Sequence, residues 1–522
     1  MADVEVAPPG PRSIGVTSLR RFARAARRSA PLAGFLLVIT AAYVFIISAG
    51  TWTHWRTWTV FYDAQAEGFR QGHLYLREVP SAALRALRNP YDPANMPLWR
   101  WDHVYFAGHF YVYWGLVPAL LLATFKGIFH VHGPIGDDLI VFLFFVGRLL
   151  TGTLLVRGLA ARAEPRPPAW AVWLAAAVFA IAYPTPYLLA RAGVYEGAIV
   201  GGACFMLTGL YLAFRGIVAA EQRVAGRWLA AASVGFGLAA GTRVSLFPAV
   251  AALVCFTAIV RWRIEGGDRE RLWRIGLWAC APAAALAFGH LLLNRLRFGA
   301  WTEFGANYQL GWPLMTVGLR FVIPNLFAYL FVPPTHTCTF PFLFGNWNTT
   351  RVLAPAWLTW PPDHQTSEPN VGLLSVVAFA WLAVGGLWLA ATRWRARGRT
   401  SYVASRSPAA VWADRWIWGS LVLYVVGSAA PLLPLSGTTV RYEADFASGV
   451  LLIATLVGWR FIAAPASRAG RTTAATLYLL LAVSTVLAGG LFGFSGYFEH
   501  FKRNNPTLLH RLEKVLSLCR PP

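Results

Sequence analysis

The sequence predicts an all-α, polytopic membrane protein with about eleven transmembrane helices. Of its 522 residues, 57% are hydrophobic and only 13% are charged, whereas a typical soluble protein carries about 25% charged residues. Many of its apolar runs approach the roughly 20 residues that cross the hydrocarbon of a bilayer. Clusters of arginine stand at the ends of these runs, as expected when basic loops stay in the cytoplasm.

The order of the spans follows from the positive charges. A basic segment, residues 1–30, precedes the first span and is expected in the cytoplasm, with that span kept as an anchor. If the apolar stretch 111–129 crossed the membrane, the basic segment 157–166 would fall outside, so we predict that 111–129 lies in the outer interface. The predicted spans are about 31–50, 139–157, 169–188, 195–214, 227–242, 244–262, 273–293, 371–391, 415–434, 446–464 and 473–494.

This topology predicts one transmembrane domain, residues 31–494, followed by a tail, residues 495–522. Two long segments then lie outside the cytoplasm. The first extracytoplasmic loop, 51–138, is rich in aromatic residues and is expected to contain interfacial helices. The second, 294–370, is rich in proline and aromatic residues. The tail falls on the same side, and its basic residues, Lys502, Arg503, Arg511 and Lys514, are the one departure from the positive-inside rule.

Two other readings of the composition are set aside. The net charge of +23 would suit a nucleic-acid partner, but the arginines lie at span ends, so we predict no nucleic acid. The five cysteines are scattered and show no CxxC or Cys/His spacing. We therefore expect neither a structural disulfide framework nor a zinc site.

Asp63 is the leading catalytic candidate. It lies about a dozen residues after the first span, near the start of an amphipathic stretch, 64–77, that reads as an interfacial helix. A helix N-terminus favours an ionised carboxylate, and an oriented carboxylate is what a general base needs to take a proton from a hydroxyl. The alternative is that Asp63 only caps the helix.

A second acidic residue could share this work. Glu67 is four residues further along the same helix face, and Asp102 stands next to Trp101. Carboxylates and aromatic faces together suit carbohydrate. A divalent metal held by Asp63, Glu67 and Asp102 is an open alternative, because oxygen ligands suit Mg²⁺ and Ca²⁺. We expect no metal and no other cofactor.

Two arginines stand where they could meet a phosphate. Arg243 interrupts an apolar run at the outer end of a span, and Arg441 occupies the same level at another, with Tyr442 and Asp445 beside it. A cation at such a position needs an anion, and the guanidinium fork matches phosphate oxygens. The alternative for Arg243 is snorkelling into the headgroups.

These features resemble the GT-C class of integral-membrane glycosyltransferases. Asp63 matches the acidic residue that follows the first span in that class, Arg243 its basic residue at an outer span end, and Arg441-Tyr442 a late Arg-Tyr pair. Short motifs at 111–119, 195–196 and 297–309 are similar to those of a bacterial subgroup of membrane proteins. One departure is Ala64, where relatives carry a second acidic residue. The resemblance suggests further substrate-binding residues: Tyr62, Trp101, Tyr195, Glu196, Tyr308 and Tyr442.

The resemblance implies a function in the bacterial inner membrane, with the active site on the extracytoplasmic side. A polyprenyl-phosphate-linked sugar would be the donor, its phosphate bound by Arg243 and Arg441, and a cell-envelope glycan or glycolipid would be the acceptor. Asp63 would deprotonate the acceptor hydroxyl, and transfer would invert the anomeric carbon. Two alternatives stay open: a ligase or polymerase that uses a pyrophosphate-linked oligosaccharide, and a lipid or sugar transporter.

Overall fold

The computed structural model describes residues 14–311, 315–346, 354–366, 368–396 and 407–519, with the backbone alone at 14–28, 366 and 389–396. It divides the chain into two compact units, one up to Ala42 and one from Tyr43 onward, and every contact given below lies within the second. The protein is 68% helical, as the sequence predicts for an all-α membrane protein.

The α-helices follow one another along the chain, and short strands lie between some of them. The α-helices are α1 (Ile14–Ile47), α2 (Phe61–Arg70), α3 (Ala82–Ala86), α4 (Val117–Phe129), α5 (Asp137–Arg162), α6 (Ala169–Ile181), α7 (Thr185–Leu189), α8 (Val194–Val218), α9 (Gln222–Thr242), α10 (Phe247–Ile264), α11 (Arg269–Phe298), α12 (Val322–Phe331), α13 (Leu373–Val376), α14 (Trp381–Ala396), α15 (Pro408–Ala429), α16 (Val440–Ala463), α17 (Arg468–Ser495), α18 (His500–Asn504) and α19 (Pro506–Leu516). The strands are β1 (His103–Phe106), β2 (His109–Tyr111), β3 (Gln309–Leu310), β4 (Thr335–His336), β5 (Leu343–Phe344), β6 (Gln365–Thr366) and β7 (Gly437–Thr438).

Among the described residues, eight helices are long and apolar enough to cross a membrane, which makes this a multi-pass membrane protein. They are Ser29–Ile47, Asp137–Arg162, Val194–Val218, Gln222–Thr242, Val244–Ile264, Arg269–Phe298, Val440–Ala463 and Arg468–Ser495. The exact number of eleven spans stays a prediction. The predicted span 169–188 is broken into α6 and α7 at Pro184, which has no N–H to continue the hydrogen-bond ladder of a helix, whereas Pro186 lies in the first turn of α7, where proline is tolerated.

The first loop contains the interfacial elements that the sequence predicts, with different bounds. α2 begins earlier than 64, because the carboxylate of Asp137 accepts hydrogen bonds from the backbone N–H groups of Phe61 and Tyr62. It ends at Arg70, shortly before Gly72, which adopts a left-handed conformation (φ +78°). Asp137, and not Asp63, therefore accepts from two of the free N–H groups at the start of this helix.

α4 has the features of a helix that lies along the membrane. Its 13 residues are too few to span a bilayer. One side is buried against the protein, including Lys126, which is 1% exposed. The other side is apolar and exposed, with Leu120, Leu121, Phe125, Ile128 and Phe129. This agrees with the interfacial position predicted for 111–129.

The expectation that no structural disulfide forms is wrong. Cys338 and Cys519 are bonded, with a Cα–Cα distance of 5.6 Å and a sequence separation of 181 residues. Spacing along the chain contains no signal for such a distant pair, because it depends on the fold that brings them together. The bond joins the segment 294–370 to the C-terminal tail. Cys204, Cys255 and Cys280 are free.

The tail is docked by polar contacts as well as by the disulfide. His500 is buried between a carbonyl and an amide: its Nε2 is 3.1 Å from the carbonyl oxygen of Ile46, and the Asn504 amide is 2.9 Å from its Nδ1. The neutral ring satisfies both partners when Nε2 donates and Nδ1 accepts. Burial lowers the pKa of His500 to about 4, and the nearby Arg56 acts in the same direction.

We expect the protein to lose stability as the pH falls from about 6.5 to about 4, the interval between the unfolded and folded pKa values of His500. In that interval the unfolded chain binds more protons, so the free energy of unfolding should fall by about 2 kcal/mol between pH 7 and pH 5. Thermal unfolding at a series of pH values measures this, and His500→Gln should remove that part of the dependence. His510→Gln, at an exposed position of the same tail, is the control. An equal pH dependence in wild type and His500→Gln would refute the assignment.

Candidate functional site

The two long segments outside the spans are joined by a small antiparallel sheet. β1 pairs with β2 in the first loop and with β3 in the later segment, so that His103 lies opposite Leu310. The backbone N–H of Asp102 also donates to the carbonyl of Leu310, at 3.0 Å. These bonds hold Trp101 and Asp102 beside the start of the segment 294–370.

Three arginines and three carboxylates meet near one end of the helix bundle. Arg191 precedes α8, Arg243 follows the last residue of α9, and Arg441 lies in the first turn of α16. In the predicted topology, all three positions are outer span ends. We name this set the arginine centre: Arg191, Arg243, Arg441, Glu196, Glu368 and Asp445.

Glu368 joins two of the arginines. Its Oε1 is 2.5 Å from Nη2 of Arg441 and 3.4 Å from Nη1 of Arg191, and its Oε2 accepts from Nε of Arg441 at 3.0 Å. The hydroxyl of Thr439 donates to the same carboxylate. Burial alone would raise the pKa of Glu368, but the charges of Arg441 and Arg191 outweigh it, so the pKa lies below its usual value. Glu368 therefore anchors the centre as an anion.

Arg243 has its own carboxylate. Its Nε and Nη2 donate to Oδ2 of Asp445 at 3.0 and 2.9 Å, and Ser245 donates to the same oxygen at 3.2 Å. The guanidinium also lies 5.2 Å from the centre of the Tyr442 ring, a cation–π distance. The Arg243 side chain is only 15% exposed, so this arginine is paired with a carboxylate inside the protein.

Asp102 reaches the centre through a tyrosine. Tyr195 donates to Oδ1 of Asp102 at 2.6 Å and shares a short 2.5 Å hydrogen bond with the hydroxyl of Tyr113. The guanidinium of Arg441 lies 4.0 Å from the centre of the Tyr195 ring. Asp102 has a left-handed backbone (φ 62°). Its side chain thus contacts Tyr195, while the neighbouring Trp101 is 43% exposed.

Asp63 belongs to a second cluster, on α2 and α4. Its Oδ1 accepts from Nζ of Lys126 at 2.8 Å and from the backbone N–H of Ile135 at 3.1 Å. Lys126 also lies 2.5 Å from Oε1 of Glu67, which pairs with Arg70 as well. The Lys126 hydrogen bond, opposed in part by burial, lowers the pKa of Glu67. Burial disfavours the charged form of Lys126, but the two carboxylates raise its pKa. The predicted pair of acidic residues is therefore bridged by an ammonium group.

The other predicted substrate-binding residues are distributed around these two clusters. Tyr62 is fully buried, and its hydroxyl donates to the carbonyl of Val194. Glu196 is also fully buried and accepts from the backbone N–H of Gly193 at 3.2 Å, with Arg191 3.9 Å away. Tyr308 packs on Phe106, with ring centres 4.6 Å apart. The fold brings Tyr195 and Tyr442 against Arg441 and Arg243 of the arginine centre. Tyr308 lies instead beside the sheet formed by β1, β2 and β3.

Three residues of these clusters were missed by sequence reasoning. Glu368 lies in a proline-rich segment, and nothing in the sequence around it indicates a buried partner. Tyr113 lies within the short motif 111–119, which indicates no role for it by itself. Lys126 could have been found, because it is the one charged residue in the apolar stretch Val117–Phe129, the same kind of signal that identified Arg243.

The contacts of Asp63, Glu67 and Asp102 bear on whether these carboxylates could hold a metal ion. Within the described ranges, no group of three or more His, Cys, Asp or Glu residues is arranged to hold a metal ion. Of the three carboxylates considered for a metal, Asp63 and Glu67 both bind Lys126, and Asp102 binds Tyr195. The ammonium of Lys126 thus already supplies positive charge between Asp63 and Glu67.

We expect Asp445→Ala to destabilise the protein strongly, because it leaves the charge of Arg243 buried without its carboxylate. Removing one partner of such a pair costs about 3–5 kcal/mol, and a lower thermal unfolding temperature in detergent would show it. Asp363→Ala is the matched control, since Asp363 pairs with Arg320 on the surface, where an ion pair is worth about 1 kcal/mol or less. Equal effects of the two substitutions would contradict the role given to Asp445.

Comparison with known proteins gives similarity in structure alone. No protein-family model matches the chain, and no curated protein does. The structure is similar to the archaeal oligosaccharyltransferase AglB from Archaeoglobus fulgidus in complex with an inhibitory peptide and a dolichol-phosphate, with a TM-score of 0.48 and 13% identity over 95% of this chain. It is also similar to ArnT from Cupriavidus metallidurans bound to undecaprenyl phosphate, with a TM-score of 0.41 and 13% identity over 91% of this chain. The chain spans 60% of the length of AglB and 77% of that of ArnT.

Proposed function

We propose that this protein is a membrane glycosyltransferase that moves a sugar from a polyprenyl-phosphate donor to a hydroxyl of a cell-envelope glycan or glycolipid. The observation that carries the proposal is a buried N–H group of Arg441 that has no hydrogen-bond acceptor. Nη1 of Arg441 makes no hydrogen bond to any described residue, although the side chain is only 10% exposed. A buried polar group of this kind calls for a partner, and a phosphate oxygen of the donor supplies one.

The arginines are arranged to accept such a phosphate. Both Arg441 and Arg243 bind their carboxylates through Nε and Nη2, so that each guanidinium is held by one edge. The remaining amino group of Arg441 is thereby oriented before the ligand arrives. A guanidinium held in this way meets a phosphate oxygen at little further cost in side-chain entropy. The carboxylates therefore orient the arginines, and Glu368 leaves Nη1 of Arg441 for a phosphate oxygen.

The transfer we propose is a single displacement. Asp63 takes the proton of the acceptor hydroxyl, the acceptor oxygen bonds to the anomeric carbon, and the bond from that carbon to the phosphate oxygen breaks. The electron pair leaves with the polyprenyl phosphate, whose charge the arginines stabilise. The anomeric carbon is inverted. Both contacts of Asp63 fall on Oδ1, so Oδ2 is the oxygen we assign to the proton. No cofactor enters this scheme, and the positive charges are those of Arg243, Arg441 and Lys126.

The orientation in the membrane is part of the proposal: the site faces the extracytoplasmic side of the bacterial inner membrane. The Cys338–Cys519 disulfide supports it, because disulfides persist in oxidising compartments. The bond joins the segment 294–370 to the tail, and the order of the predicted spans places both outside, although the tail's own Lys502, Arg503, Arg511 and Lys514 depart from the positive-inside rule. Arg261, at the opposite end of the bundle from Arg243, donates to carbonyls at the end of α8, where the positive-inside rule expects cytoplasmic charge.

One observation favours a second candidate, transfer of an oligosaccharide from a pyrophosphate-linked donor. Ligases of this kind use a large loop late in the chain, and here the segment 294–370 contributes Glu368 to the arginine centre and Gln309 to the Tyr113 hydroxyl. Competition between polyprenyl monophosphate and polyprenyl pyrophosphate for the purified protein separates the two candidates.

We expect Arg441→Ala to weaken the binding of undecaprenyl phosphate, used as a probe, by roughly 10- to 100-fold, because a charged hydrogen bond is worth about 1.5–3 kcal/mol. Native mass spectrometry of the purified protein with added probe measures the change. Arg223→Ala, at an exposed position at the cytoplasmic end of α9, is the matched control. Unchanged binding in a folded Arg441→Ala protein would overturn the proposed donor site.

Asp63→Asn should lower the rate of sugar transfer by about 10²- to 10⁴-fold, the usual contribution of a general base, with little change in donor binding. Transfer from a pool of polyprenyl-phosphate sugars to envelope glycolipids provides the assay. Asp92→Asn is the control in the same loop, since Asp92 is exposed and accepts a hydrogen bond from the backbone of Ala94. A loss in Asp102→Asn that exceeds the loss in Asp63→Asn would assign the base to Asp102.

A further inference from the structure

Arg191 is enclosed by three aromatic rings as well as by two carboxylates. Its guanidinium carbon lies 5.9 Å from the centre of the Tyr195 ring, 4.7 Å from that of Tyr497 and 5.3 Å from that of Phe498. Tyr195 comes from the start of α8, but the other two rings come from the end of the chain. The aromatic rings therefore set the position of a cation that shares Glu368 with Arg441.

Tyr497 and Phe498 belong to a segment that we name the C-terminal strap, residues 496–519. It leaves α17 through a turn in which Gly496, Phe498 and Glu499 all have positive φ. Tyr497 is fully buried and packs on Tyr187, with ring centres 5.2 Å apart. The turn thus directs two consecutive aromatic residues toward Arg191 and Tyr187.

The strap is held at its other end by contacts with two earlier parts of the chain. The amide of Asn505 donates to the carbonyl of Ala49 at 2.9 Å. The N–H of Phe340 donates to the hydroxyl of Ser517 at 3.0 Å, and the N–H of Leu518 donates to the carbonyl of Cys338 at 2.8 Å. The Cys338–Cys519 disulfide closes this set of contacts.

We propose that the C-terminal strap is a positioning element of the donor site: Tyr497 and Phe498 hold Arg191 against Glu368, and the Cys338–Cys519 disulfide keeps the strap in place. This rests on the proposed function, because Arg191 and Arg441 share Glu368 and the proposed phosphate ligand is Arg441. Displacement of the strap releases Arg191, and Glu368 then loses one of the two cations that flank it. Glu368 then no longer holds Arg441 in the same orientation toward the phosphate, although Arg441 itself is unchanged.

The experiment compares binding of undecaprenyl phosphate by wild type, Phe498→Ala, Arg191→Ala and the double variant. Phe498 is 37% exposed, so its truncation should lower the unfolding temperature less than truncation of a fully buried ring does. Losing one cation–π contact should weaken binding by roughly 3- to 10-fold. If Phe498 acts through Arg191, Phe498→Ala has no further effect in the Arg191→Ala background.

A redox comparison tests the anchor of the strap. Reduction of wild type should weaken probe binding, and reoxidation should restore it. The Cys338→Ser, Cys519→Ser double variant should bind weakly and show no response to reductant, although Cys204, Cys255 and Cys280 are still present. Val515→Ala is the control within the strap, because Val515 is 78% exposed.

The outcomes separate this proposal from the proposed function. Wild-type affinity in Phe498→Ala, or additive effects of Phe498→Ala and Arg191→Ala, would overturn the positioning role while Arg441→Ala still loses binding. Wild-type affinity after reduction would overturn the role of the disulfide. No binding of the probe by wild type would overturn both proposals together.

Discussion

The constraint on which this structure depends is the cost of charge in apolar surroundings. An arginine that leaves water needs a carboxylate, and the pair needs further hydrogen bonds to satisfy its remaining polar atoms. Glu368 and Asp445 meet this demand for Arg441 and Arg243, with hydroxyls from Thr439 and Ser245 on the same carboxylates. Each pair brings residues that are distant in sequence to one position. The arginine centre is therefore also the point at which α9, α16 and the segment before α13 are fixed together.

How far the sequence predicts this arrangement depends on whether a signal is local. Apolar runs and arginine-rich span ends are local, so the all-α membrane fold and most span positions could be predicted. Arg243 was found because it interrupts an apolar run. Glu368 and the Cys338–Cys519 pair have no such signal, because their importance comes from partners 73 and 181 residues away. The number of spans does not follow from hydropathy alone, since a proline break divides the apolar stretch 169–188 into the two short helices α6 and α7.

The carboxylates that the sequence analysis grouped as candidate acids and bases have different partners in the structure. Asp63 and Glu67 bind Lys126 on α4, whereas Asp102 is joined to Arg441 through Tyr195. The carboxylates of the first loop thus have different electrostatic neighbours, an ammonium in one case and a phenol beside a guanidinium in the other. Neighbouring positions in one loop are for this reason not interchangeable as acids or bases, and the role of each must be tested by itself.

The placement of Lys126 has a consequence for how the protein is handled. This side chain lies on the buried face of α4, whose opposite face is apolar and exposed. One face of α4 therefore packs on the protein, and the other contacts the surrounding lipid or detergent. A detergent micelle and a flat bilayer present surfaces of different curvature and depth to that helix. Because Lys126 binds Asp63, we expect the geometry of the Asp63 carboxylate to depend on the solubilising medium, and nanodiscs of different thickness are the means to vary it.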